Sequence, residues 1–390
     1  MNYNQHGNTL TIYLEGRIDS NNAENVASEI NEIVDSSDHA NVVLDLKKLE
    51  YISSAGLRIV LRLRKANPTL KLINVTSDVY EIFDMTGFTE MMPIEKAYRE
   101  ISVDGCEVIG EGANGKVYRI DKETIVKVYT NPDSLDEIRR ERDLAKKAFV
   151  LGINTAISYD IAQIGNCYGT VFELLNAKSL AACIANDPEH IDHYIDLYVD
   201  LLKKIHSTVV KDGDMPDMKE LALSWVGIAK TYLDEDSGNK LEALVQAVPK
   251  CNNVIHGDYH LKNVMIQNDE ALLIDMDTLC VGNPVFEFGS VFNAYIGFHA
   301  QDLQHAGEFL GITADTSFEV WHKTLVKYFG TTDEKKLETI AKKAKVIGYI
   351  RLLQRAVRRT LHNGEDHSAS IVFYKKELTK LVNEVDSLAL

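Results

Sequence analysis

Two rhythms of apolar residues divide the chain. In the first, strands and helices alternate. Leu10, Ile12 and Leu14 alternate with polar neighbours from Thr9 to Glu15, the two-residue period of a strand with one buried face. Ser20 or Asn21 then caps a segment in which Ala23, Val26, Ala27, Ile30, Ile33 and Val34 recur at helical spacing. Asn41 to Leu46 reads as a second strand, Gly56 to Ala66 as a second helix ended by Asn67-Pro68, Thr69 to Val75 as a third strand, and Ser77 to Met85 as a third helix closed by Gly87. This α/β unit spans residues 1–100, an ordinary domain length.

After the polar connector Ser102–Gly105 the rhythm changes. Cys106–Ile109, Lys116–Ile120 and Thr124–Tyr129 read as short strands, and Ser134 to Phe149 as a helix with Leu135, Ile138, Ala145 and Phe149 inward. Strands near Ala156–Ile164 and Tyr168–Leu174 follow. From Ser179 the pattern is mainly helical, with an amphipathic helix over Ile191–Ile205 and one strand pair near Val264–Gln267 and Leu272–Asp275. A strand-rich part (about 105–175) before a helix-rich part (about 176–390) predicts an α+β bilobal domain over 105–390 with a cleft between its lobes.

Charge narrows the function. With 42 Lys and Arg against 58 Asp and Glu the net charge is −16, which argues against a nucleic-acid binder held by phosphate contacts. No run of 18 apolar residues and no basic-then-apolar leader is present, so neither a membrane span nor a signal peptide is expected. Five scattered cysteines without a CxxC pair argue for a reducing, cytoplasmic compartment and against a disulfide framework or zinc site.

The chemistry lies in the second unit. Gly110-Glu111-Gly112-Ala113-Asn114-Gly115-Lys116-Val117 has GxGxxGxV spacing. A dinucleotide loop of that spacing opens a helix, but here Lys116–Ile120 continues as a strand. A glycine hairpin between strands is how a kinase covers ATP phosphates with backbone N–H groups. Lys127 lies ten residues beyond Val117, inside the apolar strand Ile125-Val126-Lys127-Val128. An ammonium there needs a carboxylate partner, and Glu141 is the first candidate, with Glu137 one turn earlier the alternative. His256-Gly257-Asp258-Tyr259-His260-Leu261-Lys262-Asn263 has the form HGDxxxxN, and Leu273-Ile274-Asp275-Met276-Asp277 follows, with Asp275 twelve residues beyond Asn263. Asp258 suits the group that accepts the proton of an attacking hydroxyl. Asn263 and Asp275 suit Mg²⁺ ligands.

In this order, these motifs resemble the kinase-like phosphotransferases of the aminoglycoside phosphotransferase/choline kinase branch. The resemblance implies ATP and Mg²⁺ as cofactors and Phe172-Glu173-Leu174-Leu175 as the hinge, with adenine meeting the backbone near Glu173 and Leu175. It also implies nucleotide contacts from Gly110, Gly112, Asn114, Gly115, Val117, Lys127 and Glu141. His260 two residues after Asp258, and Asp275-Met276-Asp277 in place of Asp-Phe-Gly, favour the small-molecule branch over protein kinases. Leu44-Asp45-Leu46 with Leu49–Arg58, and Phe83–Phe88, resemble STAS domains of the anti-sigma factor antagonist type. That resemblance implies a protein partner and a phosphorylatable serine at Ser54. Ser53 replaces the aspartate that usually precedes it, and both serines also suit plain helix caps.

The sequence therefore predicts a STAS domain fused to an ATP- and Mg²⁺-dependent phosphotransferase acting on a small hydroxyl-bearing acceptor. A protein kinase acting on a STAS serine, in cis or in trans, and a nucleotide-sensing binding switch are the alternatives. Arg351, Arg355, Arg358 and Arg359 form a stripe on a late helix, read as a solvated face or as a surface for an acidic or phosphorylated substrate.

Overall fold

The computed structural model describes residues 1–37, 39–112 and 115–390. The chain forms two compact units, Met1–Ser102 and Val103–Leu390.

In the first unit, β1 (Asn2–His6) pairs antiparallel with β2 (Thr9–Ile18). Then β3 (Asn41–Ile52), β4 (Lys71–Val75) and β5 (Ile94–Lys96) add in parallel, in the order β1-β2-β3-β4-β5. Helices α1 (Ala23–Asp35), α2 (Ser54–Ala66) and α3 (Ser77–Met85) make the connections. The alternating residues Leu10, Ile12 and Leu14 on β2 and Val42, Leu44 and Leu46 on β3 are all buried. They pack with Ile30, Leu57, Val60, Leu63 and Phe83 from the helices. Gly56 lets α2 approach β3 closely, since a Cβ there would lie 2.5 Å from Ile52 Cγ1.

The second unit begins with a sheet in which β9 (Ser158–Ile164), β10 (Cys167–Glu173), β8 (Thr124–Tyr129), β7 (Gly115–Arg119) and β6 (Glu107–Gly112) are antiparallel neighbours in that order. Helix α4 (Leu135–Val150) packs on β10 and β9. Its buried face is Ile138, Glu141, Leu144, Ala145 and Ala148; Phe149, expected inward, is exposed.

The remainder is helical apart from a few short strands. Helix α5 (Ile191–Ser207), the hairpin β11 (Val264–Gln267) and β12 (Glu270–Leu273), and helices α6 (Pro284–Tyr295), α7 (Glu334–Asn363) and α8 (Ser368–Glu384) surround one large core. Helices α6 and α7 cross at Gly289 and Gly348, where a Cβ on Gly289 would lie 2.5 Å from Ile347 Cγ2 and one on Gly348 would lie 2.6 Å from Phe292 Cδ1. Asn293 Nδ2 donates to the Gly348 carbonyl at 3.1 Å and fixes the register of the crossing.

Candidate active site

Gly110 and Gly112 lie on β6, Gly115 and Val117 on β7, and Gly112 pairs directly with Gly115. Gly115 has a steric reason to be glycine, because a Cβ would stand 2.0 Å from the Val128 carbonyl oxygen. Asn114 lies outside the described residues. Val117 pairs across the ladder with Lys127 on β8. At the end of β10, Glu173 is exposed and Leu175 half-buried, with the intervening Leu174 N–H donating to Glu123 O at 2.7 Å.

Lys127 is half-enclosed between carboxylates. Its Nζ lies 3.1 Å from Glu141 Oε1 and 2.6 Å from Asp275 Oδ1. Burial disfavours the ammonium, but Asp275 and Glu141 outweigh it and hold the pKa above the ordinary lysine value. The Tyr129 hydroxyl donates to the other oxygen of Glu141. Glu137, the alternative partner one turn earlier, is exposed and forms no ion pair with Lys127.

The HGDxxxxN segment is a tightly tethered loop. Glu287 on α6 has no solvent exposure, and its carboxylate accepts the backbone N–H of His256 at 2.5 Å and of Gly257 at 3.0 Å. Burial works against that charge. The hydrogen bonds and the imidazoles of His206 and His256 outweigh it, and the Glu287 pKa lies below the usual carboxylate value. Thr278 Oγ1 donates to His256 O at 2.8 Å, and the buried Tyr259 hydroxyl donates to Tyr198 O on α5 at 2.6 Å. Gly257 has φ 80°, and a Cβ there would meet Thr278 O at 2.6 Å.

Asp258 follows directly. Arg351 on α7 donates to Gly257 O at 2.6 Å and to Ser290 Oγ at 3.0 Å, and lies 3.4 Å from Asp258 Oδ1. The α6–α7 crossing sets this contact, since Ser290 and Arg351 lie one and three residues beyond the two glycines. His260 Nε2 is 3.4 Å from Asp258 Oδ2. Burial would raise the Asp258 pKa, but the His260 hydrogen bond and the Arg351 guanidinium carry it well below the ordinary range. The stripe expected to favour solvent therefore sends Arg351 inward.

Asn263 is buried and its Nδ2 donates to Asp258 O at 3.0 Å, which leaves the amide oxygen as the acceptor end. The Ile274 N–H donates to Asn263 O at 3.0 Å, tying this loop to the strand end that carries Asp275. Asp275 has φ 63°, a left-handed conformation uncommon outside glycine but open to Asp and Asn. Asp277 is driven up to about 7 by burial and by the neighbouring charges of Asp275 and Glu141. Hard oxygen donors with excess negative charge fit Mg²⁺, which keeps several water or phosphate ligands. Among the described residues no three His, Cys, Asp or Glu side chains converge on one point, so the chemistry suits that open coordination rather than a closed cage.

Residues 105–321 match the phosphotransferase enzyme family (APH), more than half the chain, and residues 1–101 match the STAS domain. The chain belongs to the APH phosphotransferase family. This phosphotransferase carries its STAS domain at the N-terminal side. That domain is 41% identical over 89 residues to a Bordetella bronchiseptica protein named as an anti-sigma factor antagonist, BtrV, covering 22% of this chain and 76% of that one. It is 26% identical over 93 residues to the anti-sigma F factor antagonist of Paenibacillus polymyxa, covering 23% and 80%. The crystal structure of a thermostable mutant of aminoglycoside phosphotransferase APH(4)-Ia, in ternary complex with ADP and hygromycin B, matches with a TM-score of 0.50 at 10% identity. It covers 79% of this chain and 99% of that one, and the likeness is one of fold.

The sequence reading missed Glu287, Ser290 and the inward turn of Arg351. Glu287 had a signal: a lone charge in a helix whose residues Val285–Tyr295 are all buried needs partners. Arg351 had none, since a helix crossing brings it to a loop 93 residues away.

Proposed function

We propose that this phosphotransferase moves the γ-phosphate of ATP to a hydroxyl of a small acceptor, with Mg²⁺, and that its STAS domain regulates the transfer. The observation that carries the reading is the convergence of Lys127, Glu141 and Asp275 with a hydrogen-bonded Asp258–Asn263 loop tied to the same strand end. Lys127, held in place by two carboxylates, grips the α- and β-phosphates under the glycine hairpin. Asn263 Oδ1 and Asp275 hold the metal, which when bound neutralises charge on the phosphates.

Asp258 orients the acceptor hydroxyl. The acceptor oxygen bonds to the γ-phosphorus, the bond from that phosphorus to the bridging oxygen breaks, ADP leaves, and the hydroxyl proton passes to the Asp258 carboxylate. A carboxylate with so low a pKa is a weak base, so orientation is its larger part. That suits a loose transition state in which the proton departs late. Asp258→Ala should lower turnover by about 100- to 10,000-fold while nucleotide affinity persists. A variant keeping more than about a tenth of the wild-type rate contradicts the assignment.

Ser54 supports a second reading, a protein serine kinase acting on a STAS serine. It is the exposed first residue of α2, while Ser53 is the cap and accepts from the Gly56 N–H. The names of the relatives point to a protein partner for this domain. Phosphoserine at Ser54 after incubation with ATP, absent from the Asp258→Ala protein, would favour this second reading; ATP consumption only with an added acceptor would favour the first.

A further inference from the structure

The acceptor side of the site is cationic. Arg351, Arg355, Arg358 and Arg359 lie within about a third of the circumference of α7 at 100° per residue. Arg351 is occupied by Asp258 and Ser290, and Arg359 approaches Glu365 at 4.0 Å. Among the described residues, Arg355 and Arg358 meet no carboxylate within ion-pair distance.

The Arg355 guanidinium instead lies over the Phe298 ring, 5.4 Å from its centroid, and Phe298 packs on Phe309 with centroids 5.0 Å apart. The far end of that aromatic pair carries two more basic groups: Lys262 Nζ sits 5.2 Å from the Phe309 centroid and the His260 ring 5.1 Å from it. His260 is buried, and its Nδ1 has no hydrogen-bond partner. Arg355 is exposed to water. Burial first, then Arg359 and Arg351, press its pKa down. Like charges one turn apart on a helix destabilise it. In a chain of net charge −16, a row of arginines beside Asp258 with no acidic partner for two of them calls for an anion from outside.

On the reading that this site transfers phosphate to a hydroxyl, we infer that the acceptor carries an oxyanion group, a carboxylate or a phosphate, bound by Arg355 and Arg358 over the Phe298–Phe309 pair. At a rise of 1.5 Å per residue, Arg355 and Arg358 stand roughly 6 and 10 Å along α7 from Arg351, the residue that meets Asp258. Guanidinium forks match both oxyanions, and the same row repels polycationic and quaternary-ammonium acceptors.

The test is calorimetric titration of the full chain, with and without Mg·ADP, using glucose 6-phosphate, pantothenate, kanamycin and choline. The first two carry a hydroxyl and an oxyanion at opposite ends, one phosphate and one carboxylate, so they separate the two sources of the anion. At least one of them should bind. Arg355→Glu should weaken that binding about ten-fold or more, and Arg355→Lys by less than about three-fold. Tighter binding of kanamycin or choline than of both anions overturns the inference. So does anion binding indifferent to Arg355→Glu, or no binding of either anion up to about 10 mM. Nucleotide titration stands apart: a chain that binds Mg·ADP but fails the charge test refutes only the acceptor class, whereas one that does not bind Mg·ADP refutes the underlying phosphotransfer reading.

Discussion

Glu287→Gln isolates what holds the HGD loop in place. The wild-type carboxylate accepts two buried backbone N–H groups, one on each oxygen. An amide offers one oxygen and turns an NH₂ toward the other donor, so one N–H loses its acceptor and the remaining bond loses its charge. An unsatisfied buried donor costs about 1–3 kcal/mol and the lost charge assistance about another 1, giving about 2–4 kcal/mol in all. The direction is set by the Glu287 pKa, which lies below the ordinary value, so the surroundings favour the anion over any neutral isostere. At about 2–4 °C per kcal/mol for a unit of this size, the melting temperature of the second unit should fall by about 4–16 °C. Asp258 is the next residue along, and a displacement of about 1 Å in a reacting group can cost 100-fold in rate. Scanning calorimetry and steady-state turnover read the two effects separately. A melting shift under about 2 °C with kcat within two-fold of wild type would refute the tether.

Two further outcomes follow from the same geometry. Asp275→Asn keeps the shape but removes a charge from the pair with Lys127, so nucleotide affinity should lose its dependence on Mg²⁺; Mg·ATP affinity equal to wild type by calorimetry would sink the metal assignment. Ser54→Asp places charge at the start of α2, whose first turn has no acidic residue, and should alter ATP turnover while Ser54→Ala does not. Matching rates in both variants would reduce Ser54 to a helix-start residue.

How much of this the sequence carried depended on whether the partner was local. Lys127 was readable because an ammonium within Ile125–Val128 has no cheap explanation except a function. Choosing between Glu141 and Glu137 needed the true buried face of α4. Glu141 lies at the centre of that face, among Ile138, Leu144, Ala145 and Ala148. A count of apolar residues alone treats a glutamate as outward, which tilts the apparent stripe toward Phe149 and misplaces it. Strand β1 gave no alternation to read because all five of its residues are exposed. The inward turn of Arg351 depends on how closely α6 and α7 approach. Two glycines decide that, and neither Gly289 nor Gly348 announces its partner in the sequence.

The charge inventory ties the site together. Glu141, Asp258 and Asp275 all act on the charge of Asp277, and the cations that pair with the first three are Lys127 on the sheet side and Arg351 and His260 on the helical side. The positive charges are divided unevenly. Arg351 and His260 settle Asp258 firmly in its ionised form, whereas Lys127 must serve both Glu141 and Asp275 and leaves Asp277 lifted to about 7. The uncompensated negative charge therefore sits at the strand end near Asp275, not at Asp258. A divalent cation brought with nucleotide phosphates would remove it there and release Lys127 from Asp275 toward the phosphates. The two lobes thus have different electrostatic needs. At the strand end Lys127 is shared by two carboxylates, while on α7 Arg355 and Arg358 meet none among the described residues. That asymmetry is what a transferase needs if its metal travels with the donor and its acceptor arrives as an anion.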